Sequence, residues 1–163
     1  MIKKDTTIFC DMDGVLADFN AQPNAVNRYA TEKGFFAKLQ PLSENLQALK
    51  DLMQKGFNVN ILSTSPNKQA DRDKFTWLMQ HLPNLTIAQI IFTRPDRDKA
   101  DYIAVNADTL LIDDYTPNLI AWRNKGGAVL KLVNAYDSAI GKHTTLNIKH
   151  VQTLKQIQEK ENN

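Results

Sequence analysis

With 163 residues, 42% of them hydrophobic and 23% charged, the chain has the size and composition of one globular domain with its own core. Its formal net charge of +2 is too small to indicate binding to nucleic acid or to a membrane surface. The single cysteine, Cys10, excludes a disulfide framework within the chain, and we expect a cytoplasmic protein without a membrane span or signal peptide.

The first predicted element is a strand over residues 7–10 that runs directly into carboxylates. A continuous apolar run this short is typical of a central strand that is buried on both faces. Asp11 and Asp13 follow it, at the sheet edge where open α/β folds bind their ligands, and Gly14 allows a sharp turn. Asp-x-Asp-Gly alone is equally compatible with an ordinary acidic turn. A calcium-binding loop is excluded because ligands are missing at its first and twelfth positions.

Two helices are predicted next, with an apolar stretch between them. Residues 20–33 predict a short helix that Gly34 closes, because glycine commonly ends helices. Residues 35–42 contain bulky apolar side chains without a helical period. A clear helix then begins at Ser43, has leucines at helical spacing and stops before Gly56.

From there the chain alternates between strands and helices. We predict strands over residues 57–62, 90–92, 109–112 and 128–133, helices over residues 67–81, 117–124 and about 150–160, and a loop over residues 134–145. Such alternation favours a parallel sheet covered by helices on both faces. We therefore predict one Rossmann-like three-layer α/β/α domain that spans residues 1–163.

Polar and charged side chains follow the ends of four predicted strands. They are Asp11 and Asp13 after the first strand, Thr64 and Ser65 after the second, Lys99 after the third, and Asp113 and Asp114 after the fourth. Right-handed crossovers bring the carboxyl ends of parallel strands to one edge of the sheet. We therefore expect these side chains to converge at one site.

This set of side chains suits the binding of a phosphoryl group. Four carboxylates need compensating positive charge, of which Lys99 supplies one unit and a divalent metal two. Oxygen-only ligands indicate Mg²⁺. A hydroxyl at Thr64 or Ser65 next to a helix start makes an anion site. One carboxylate can then attack phosphorus while another protonates the leaving oxygen and later activates water.

These residues resemble, in order and spacing, the four motifs of the haloacid dehalogenase-like (HAD) phosphatase superfamily. The closer resemblance is to the 5'(3')-deoxyribonucleotidases, and it covers roughly residues 6–125. It rests on Asp-Met-Asp-Gly-Val-Leu-Ala-Asp-Phe at 11–19, Gly34-Phe35-Phe36 with Leu39 and Pro41, Thr64-Ser65-Pro66, Thr93-Arg94 ahead of Asp98-Lys99, and Leu111-Ile112-Asp113-Asp114.

The resemblance implies a role for each residue of the site. Asp11 is implied as nucleophile and metal ligand, and Asp13 as acid/base that also lends its backbone carbonyl to the metal. Thr64 is implied to bind the phosphate, and Lys99 to steady both the phosphate and Asp11. The remaining implied Mg²⁺ ligands are Asp113 and its neighbour Asp114.

The resemblance also implies a nucleoside pocket. Its candidate substrate-binding residues are Phe19, Phe35, Phe36, Ser65 and Arg94. Phe35 and Phe36 are equally compatible with a plain core position, and Arg94 with a solvated loop charge. Well-known family members have a long helical cap after the first motif, whereas only about fifteen residues intervene here, so we expect a reduced cap over about residues 20–42.

The sequence thus predicts a Mg²⁺-dependent phosphomonoesterase acting on (deoxy)nucleoside monophosphates. A sugar phosphate or a polynucleotide end is the alternative substrate, because a small cap leaves the site open. A phospho-receiver signalling domain is the alternative outside enzymes, although receivers lack a carboxylate placed like Asp13. We expect a small-molecule partner, no membrane partner and no nucleic acid, and a homodimer is compatible with the sequence.

Overall fold

A parallel sheet forms the middle layer of the computed structural model, which describes residues 2–133 and 149–151. Its strands are β1 (Thr7–Cys10), β2 (Asn58–Thr64), β3 (Ile90–Thr93), β4 (Thr109–Asp113), β5 (Ala128–Leu132) and β6 (Lys149–Val151). They lie in the order β3-β2-β1-β4-β5-β6, and every neighbouring pair is parallel. In β1, Cys10 lies opposite Ile61 of β2 and Ile112 of β4, which makes β1 a central strand.

The helices of the described residues are α1 (Ala25–Arg28), α2 (Ser43–Gln54), α3 (Lys68–His81) and α4 (Thr116–Asn124). Short 3₁₀ turns lie at Phe36–Lys38, Ile87–Gln89 and Lys99–Asp101. Within residues 2–133 and 149–151 we find no helix whose length and hydropathy would suffice for a membrane crossing.

Alternate side chains of β1 point to two separate apolar clusters. Ile8 and Cys10 belong to a cluster that includes the buried side chains of α2 and α3. Phe9 belongs to the other cluster, where its ring lies 5.3 Å from that of Trp122 on α4. Period-two alternation between two helical layers is what a strand buried on both faces requires. The predicted three-layer α/β/α fold is therefore confirmed.

Three predicted strands, β2, β3 and β4, run further at their carboxyl ends than their apolar patterns indicated. The β2 ladder continues until Thr64 pairs with Thr93, and the β4 ladder until Asp113 pairs with Lys131. Hydrogen bonding to neighbouring strands therefore holds these two polar residues at the last positions of β2 and β4. Their side chains are fixed by the sheet instead of a following loop.

The predicted helix over residues 20–33 is wrong for most of its length, because only Ala25–Arg28 are helical. Pro23 has no backbone N–H to donate, and Asn24 adopts a left-handed φ of 54°, so a longer helix cannot form through them. Gly34 does mark a turn, with a φ of 79°.

The helix predicted over about 150–160 is wrong at its start. Lys149–Val151 form β6, where His150 pairs with Lys131 of β5, so strand pairing decides the conformation there. The rest of that prediction, residues 152–160, and the loop predicted over residues 134–145 lie outside the described residues.

Residues 20–42, hereafter the β1–α2 segment, are attached to α3 by three hydrogen bonds. The Asn67 side chain donates to Ala30 O at 2.8 Å, and Asp73 accepts from Gly34 N at 2.7 Å. Trp77 Nε1 donates to Leu39 O at 2.8 Å. The helix that follows β2 thus carries the segment that follows β1.

Candidate active site

Asp11 and Asp113 lie side by side because β1 and β4 are paired. Asp11 N donates to Ile112 O at 2.9 Å, which continues the ladder one residue beyond β1. Asp11 is 7% exposed and Asp113 is completely buried. Carboxylate oxygens of Asp11, Asp113 and Asp114 lie within 4.8 Å of one another, so the predicted convergence of these three residues is present.

Lys99 bridges the first two of these carboxylates. Its Nζ lies 2.9 Å from Asp11 Oδ1 and 2.7 Å from Asp113 Oδ2, and the lysine side chain is only 1% exposed. Burial alone would lower the pKa of Lys99, but the charges of Asp11 and Asp113 outweigh it and raise that pKa above its ordinary value. The Lys99 side chain is therefore protonated although it is almost completely shielded from solvent.

Asp113 is held by several donors, whereas Asp114 lies among negative charges. Asp113 Oδ1 accepts from Tyr115 N at 2.8 Å, and Oδ2 accepts from Asn118 Nδ2 at 3.0 Å in addition to Lys99. Burial, together with the charges of Asp113 and Asp11, raises the pKa of Asp114 well above its ordinary range. The ionised carboxylates of Asp11, Asp113 and Asp114 therefore repel one another, and an added cation would reduce that repulsion.

Gly14 makes room for Asp114. Its φ of 74° is in the left-handed region, and a Cβ at this position would lie 2.1 Å from Asp114 Oδ2. A side chain at position 14 would therefore strain the backbone and displace the carboxylate at once.

The donor set fits a divalent cation. When ionised, Asp11, Asp113 and Asp114 bring three negative charges, which is more than Lys99 alone can balance. Carboxylate oxygens are the ligands that Mg²⁺ prefers. The Asp13 side chain is outside this set, so its predicted part as a metal ligand concerns its backbone carbonyl alone and stays a prediction.

Asp13 is paired instead with a second buried lysine, Lys74 of α3, which the sequence analysis missed. Lys74 Nζ donates to Asp13 Oδ2, to Ser63 Oγ at 2.9 Å and to Thr64 O at 2.6 Å. Burial raises the pKa of Asp13, although the charge of Lys74 opposes that shift. The available signal was position, because Lys74 shares the buried face of α3 with Trp77 and Leu78.

The hydroxyl side of the site is built from the ends of β2 and β3. Thr64 Oγ1 lies 3.0 Å from Thr93 Oγ1, and the Thr64 side chain reaches the pocket. Ser65 is buried outside the pocket lining, where its hydroxyl donates to Asn67 O at 3.3 Å. Of the two residues with predicted hydroxyl ligands, Thr64 is thus the one that lines the pocket.

Arg94 also lies outside the pocket lining. Its two terminal nitrogens each lie 2.7 Å from a carboxylate oxygen of Asp71, and Nη1 also donates to Ser65 O at 3.1 Å. This bidentate pair holds the start of α3 to the end of β3. Arg94 therefore braces the loop that follows Thr64 instead of reaching the pocket.

An open pocket of about 610 Å³ lies over the carboxylates. Of the predicted residues, its lining includes Asp11, Asp13, Thr64, Lys99, Asp114, Phe19 and Phe36. Lining residues that were not predicted as site residues include Asn20, Tyr29, Arg97, Tyr115 and Asn118. Phe35 and Phe36 are both buried, at 2% and 1% exposure, but only Phe36 belongs to the pocket lining. The Phe35 ring lies 5.7 Å from that of Phe19 and 5.1 Å from that of Phe36.

Comparison with known families gives one match that covers most of the chain. A family model described as 5' nucleotidase, deoxy (pyrimidine), cytosolic type C protein matches residues 20–158. The match begins after Asp11 and Asp13, so it is independent of the Asp-Met-Asp-Gly motif. No curated protein matches the chain.

Solved structures of low sequence identity share the fold. A HAD-superfamily hydrolase from Ehrlichia chaffeensis has a TM-score of 0.62 at 14% identity and covers 98% of this chain and 97% of its own. A HAD family hydrolase from Deinococcus radiodurans with bound phosphate and sodium gives 0.60 at 12%, covering 95% and 94%. The D,D-heptose 1,7-bisphosphate phosphatase from Burkholderia thailandensis gives 0.59 at 12%, covering 91% and 93%.

We expect Mg²⁺ to raise the melting temperature more at about pH 7.5 than at about pH 5, because the cation competes with protons for the carboxylates. The raised pKa values of Asp113 and Asp114 mean that the metal-free folded state binds protons more readily than the unfolded state. Its stability therefore falls as pH rises above the ordinary aspartate pKa of about 3.9. Thermal scans with and without Mg²⁺ test this, and a gain that is equal or larger at the lower pH would contradict it.

Gly14→Ala should lose the Mg²⁺ response, because its Cβ would displace Asp114. Gly126→Ala is the matched control, since Gly126 has a φ of 92° but open space around its Cβ position. Both variants should lose about 1–2 kcal/mol of stability from the left-handed backbone. Only Gly14→Ala should also lose the Mg²⁺-dependent rise in melting temperature, and a full rise in that variant would disprove the role of Gly14.

Proposed function

The chain belongs to the 5' nucleotidase, deoxy (pyrimidine), cytosolic type C protein family, and on that premise we propose that it hydrolyses nucleoside monophosphates with Mg²⁺ through an aspartyl-phosphate at Asp11. Its membership of the HAD-superfamily phosphatases makes it an enzyme that acts on small-molecule phosphate substrates. We also propose that residues 1–163 form one domain and that the β1–α2 segment is a reduced cap.

The observation that carries the proposal is the way Lys99 engages Asp11. Both Lys99 Nζ, at 2.9 Å, and Met12 N, at 2.8 Å, contact the same oxygen, Oδ1. The carboxylate is thereby oriented at the base of the pocket, and we assign the attack on phosphorus to its other oxygen, Oδ2. Orientation of this kind lowers the barrier to an in-line displacement.

In the first step, Asp11 Oδ2 forms a bond to phosphorus while the bond from phosphorus to the leaving oxygen breaks. Asp13 gives its proton to that oxygen, and the nucleoside leaves as an alcohol. In the second step, Asp13 takes a proton from water as the water oxygen bonds to phosphorus. The bond between phosphorus and Asp11 then breaks, which releases phosphate and restores both carboxyl groups.

The remaining residues bind and orient the phosphoryl group. Lys99 and the Thr64 hydroxyl contribute a charge and a hydrogen bond to its oxygens. Asp11, Asp113 and Asp114 would hold Mg²⁺ with the Asp13 carbonyl, and the bound ion would supply positive charge against the phosphoryl oxygens. The N-terminus of α3, capped by Asn67, adds its dipole nearby.

An aromatic wall supports a nucleoside as the leaving group. Phe19, Tyr29 and Phe36 line the pocket, and the Phe19 and Phe36 rings are stacked with centroids 6.4 Å apart. Phe36 is 1% exposed and forms the back of the wall, whereas Phe19 and Tyr29 are half-buried. A base stacked on Phe19 or Tyr29 would gain roughly 1–3 kcal/mol by analogy with single-strand binding. Phe35 supports the wall from behind, so we no longer assign it a direct contact with substrate.

Asp11→Asn should lower turnover by about 10⁴-fold or more, because a carboxamide cannot attack phosphorus. Circular dichroism should show an unchanged fold, since the amide has the shape of the carboxylate. Asp51→Asn on α2, which lies outside the pocket, is the control and should keep normal activity. Normal turnover by well-folded Asp11→Asn would remove Asp11 as the nucleophile.

Nucleoside monophosphates should be hydrolysed with a higher kcat/KM than sugar phosphates of equal charge. Phe36→Ala removes the ring on which Phe19 is stacked and should narrow the ratio of the two kcat/KM values by about tenfold. It should act mainly by lowering kcat/KM for the nucleotide, since remote binding energy is used at the reacting centre. Phe92→Ala removes a partly buried ring outside the pocket and should leave the ratio unchanged. Equal efficiency on both substrate classes would favour the sugar-phosphate function over the nucleotidase function.

A further inference from the structure

The ammonium group of Lys74 uses all of its hydrogen-bond donors inside the protein. An ammonium has three N–H groups, and Lys74 contacts three acceptors: Asp13 Oδ2, Ser63 Oγ and Thr64 O. The side chain is completely buried and does not line the pocket. Lys74 therefore cannot bind the substrate, and any effect it has on the reaction must pass through the groups it holds.

The two oxygens of Asp13 are in different situations. Oδ2 is paired with Lys74, whereas Oδ1 is buried and has no hydrogen-bond partner among the residues that the structure describes. Asp13 lines the pocket and its side chain is 20% exposed, so the lysine holds a carboxyl group that borders the pocket. The pairing with Lys74 thus fixes the orientation of the Asp13 carboxyl group.

The aromatic wall lies on the other side of the same ammonium. Lys74 Nζ is 4.3 Å from the centroid of the Phe36 ring, a cation–π distance. Since Phe36 lines the pocket, one lysine contacts both a side chain of the substrate wall and the carboxylate of Asp13.

The buried ion pair between Lys74 and Asp13 is not expected to add much to the stability of the fold. Burying an ion pair commonly costs as much as the attraction returns, and apolar replacements of such pairs are often neutral or stabilising. Lys74 shares a face of α3 with Trp77 and Leu78, where an apolar side chain would suit the core. A charged group in this setting indicates a functional demand.

We propose that Lys74 is a positioning residue that holds Asp13 by Oδ2 and thereby orients its carboxyl group for proton exchange with the leaving oxygen of the substrate. This inference rests on the proposed function, because it takes Asp13 as the group that exchanges a proton with the leaving group. Lys74 serves the step in which the bond between phosphorus and the leaving oxygen breaks. A poor leaving group needs that proton more than a good one.

The test compares Lys74→Met, Asp13→Asn and the double variant on two substrates, deoxyuridine 5'-monophosphate and p-nitrophenyl phosphate. Lys74→Met should lower kcat on the nucleotide by about 10²-fold and on the aryl ester by less than about tenfold, with little change in KM. In the Asp13→Asn background, Lys74→Met should lower kcat on the nucleotide no further, because the carboxyl group through which Lys74 acts is already missing. The ratio of the two substrates is independent of how much variant folds.

Arg72→Met is the matched control on the same helix. Arg72 is exposed and its guanidinium donates to Gln69 Oε1 at 2.8 Å, so its loss removes a cation from α3 without removing a contact of Asp13. We expect it to leave the activity on both substrates unchanged.

Two outcomes would overturn the inference. If Asp13→Asn is selective for the nucleotide but Lys74→Met harms both substrates equally, or adds its full effect in the double variant, then Lys74 is structural and the proposed function stands. If Asp13→Asn itself shows no selectivity, the assigned role of Asp13 fails and the inference fails with it.

Discussion

The site depends on one buried ammonium, Lys99, that lies between two carboxylates. Asp11 and Asp113 are brought together by the pairing of β1 with β4, and without a cation between them they could not both be ionised in so dry a place. Lys99 balances one of three charges, and Asp114 adds the excess that a divalent ion can balance. The sheet places the two carboxylates side by side, and the charge of Lys99 reduces the repulsion between them.

A second lysine divides the site into two halves. Lys74 pairs with Asp13, which keeps that carboxylate away from Lys99 and outside the cluster that could hold a metal. The proposed nucleophile, Asp11, and the proposed acid/base, Asp13, thereby have different electrostatic surroundings although they are only two residues apart, which would let one site supply two chemistries. Because α3 carries Lys74 and also binds the β1–α2 segment, the Asp13 carboxyl group and the aromatic wall share one support.

The sequence predicted what parallel topology determines and missed what packing determines. Asp11, Asp113 and Thr64 end or follow buried strands, so their meeting at one edge was foreseeable. The burial of Lys74 was not foreseeable, because a lysine on a helix is ordinarily solvated, and Lys74 is buried only through the way α3 packs in the fold. Phe35 and Phe36 are adjacent in a stretch without periodicity, and the pattern could not tell which one faces the pocket.

The central claim, that Asp11 carries the phosphoryl group, can be tested by trapping the intermediate. An acyl phosphate is reduced by borohydride, so enzyme quenched during turnover and then reduced should contain homoserine in place of the aspartate that was phosphorylated. We expect peptide mass spectrometry to locate homoserine at position 11, and only when substrate is present. Homoserine at position 13, 113 or 114 would contradict it, as would no substrate-dependent reduction in rapidly quenched samples.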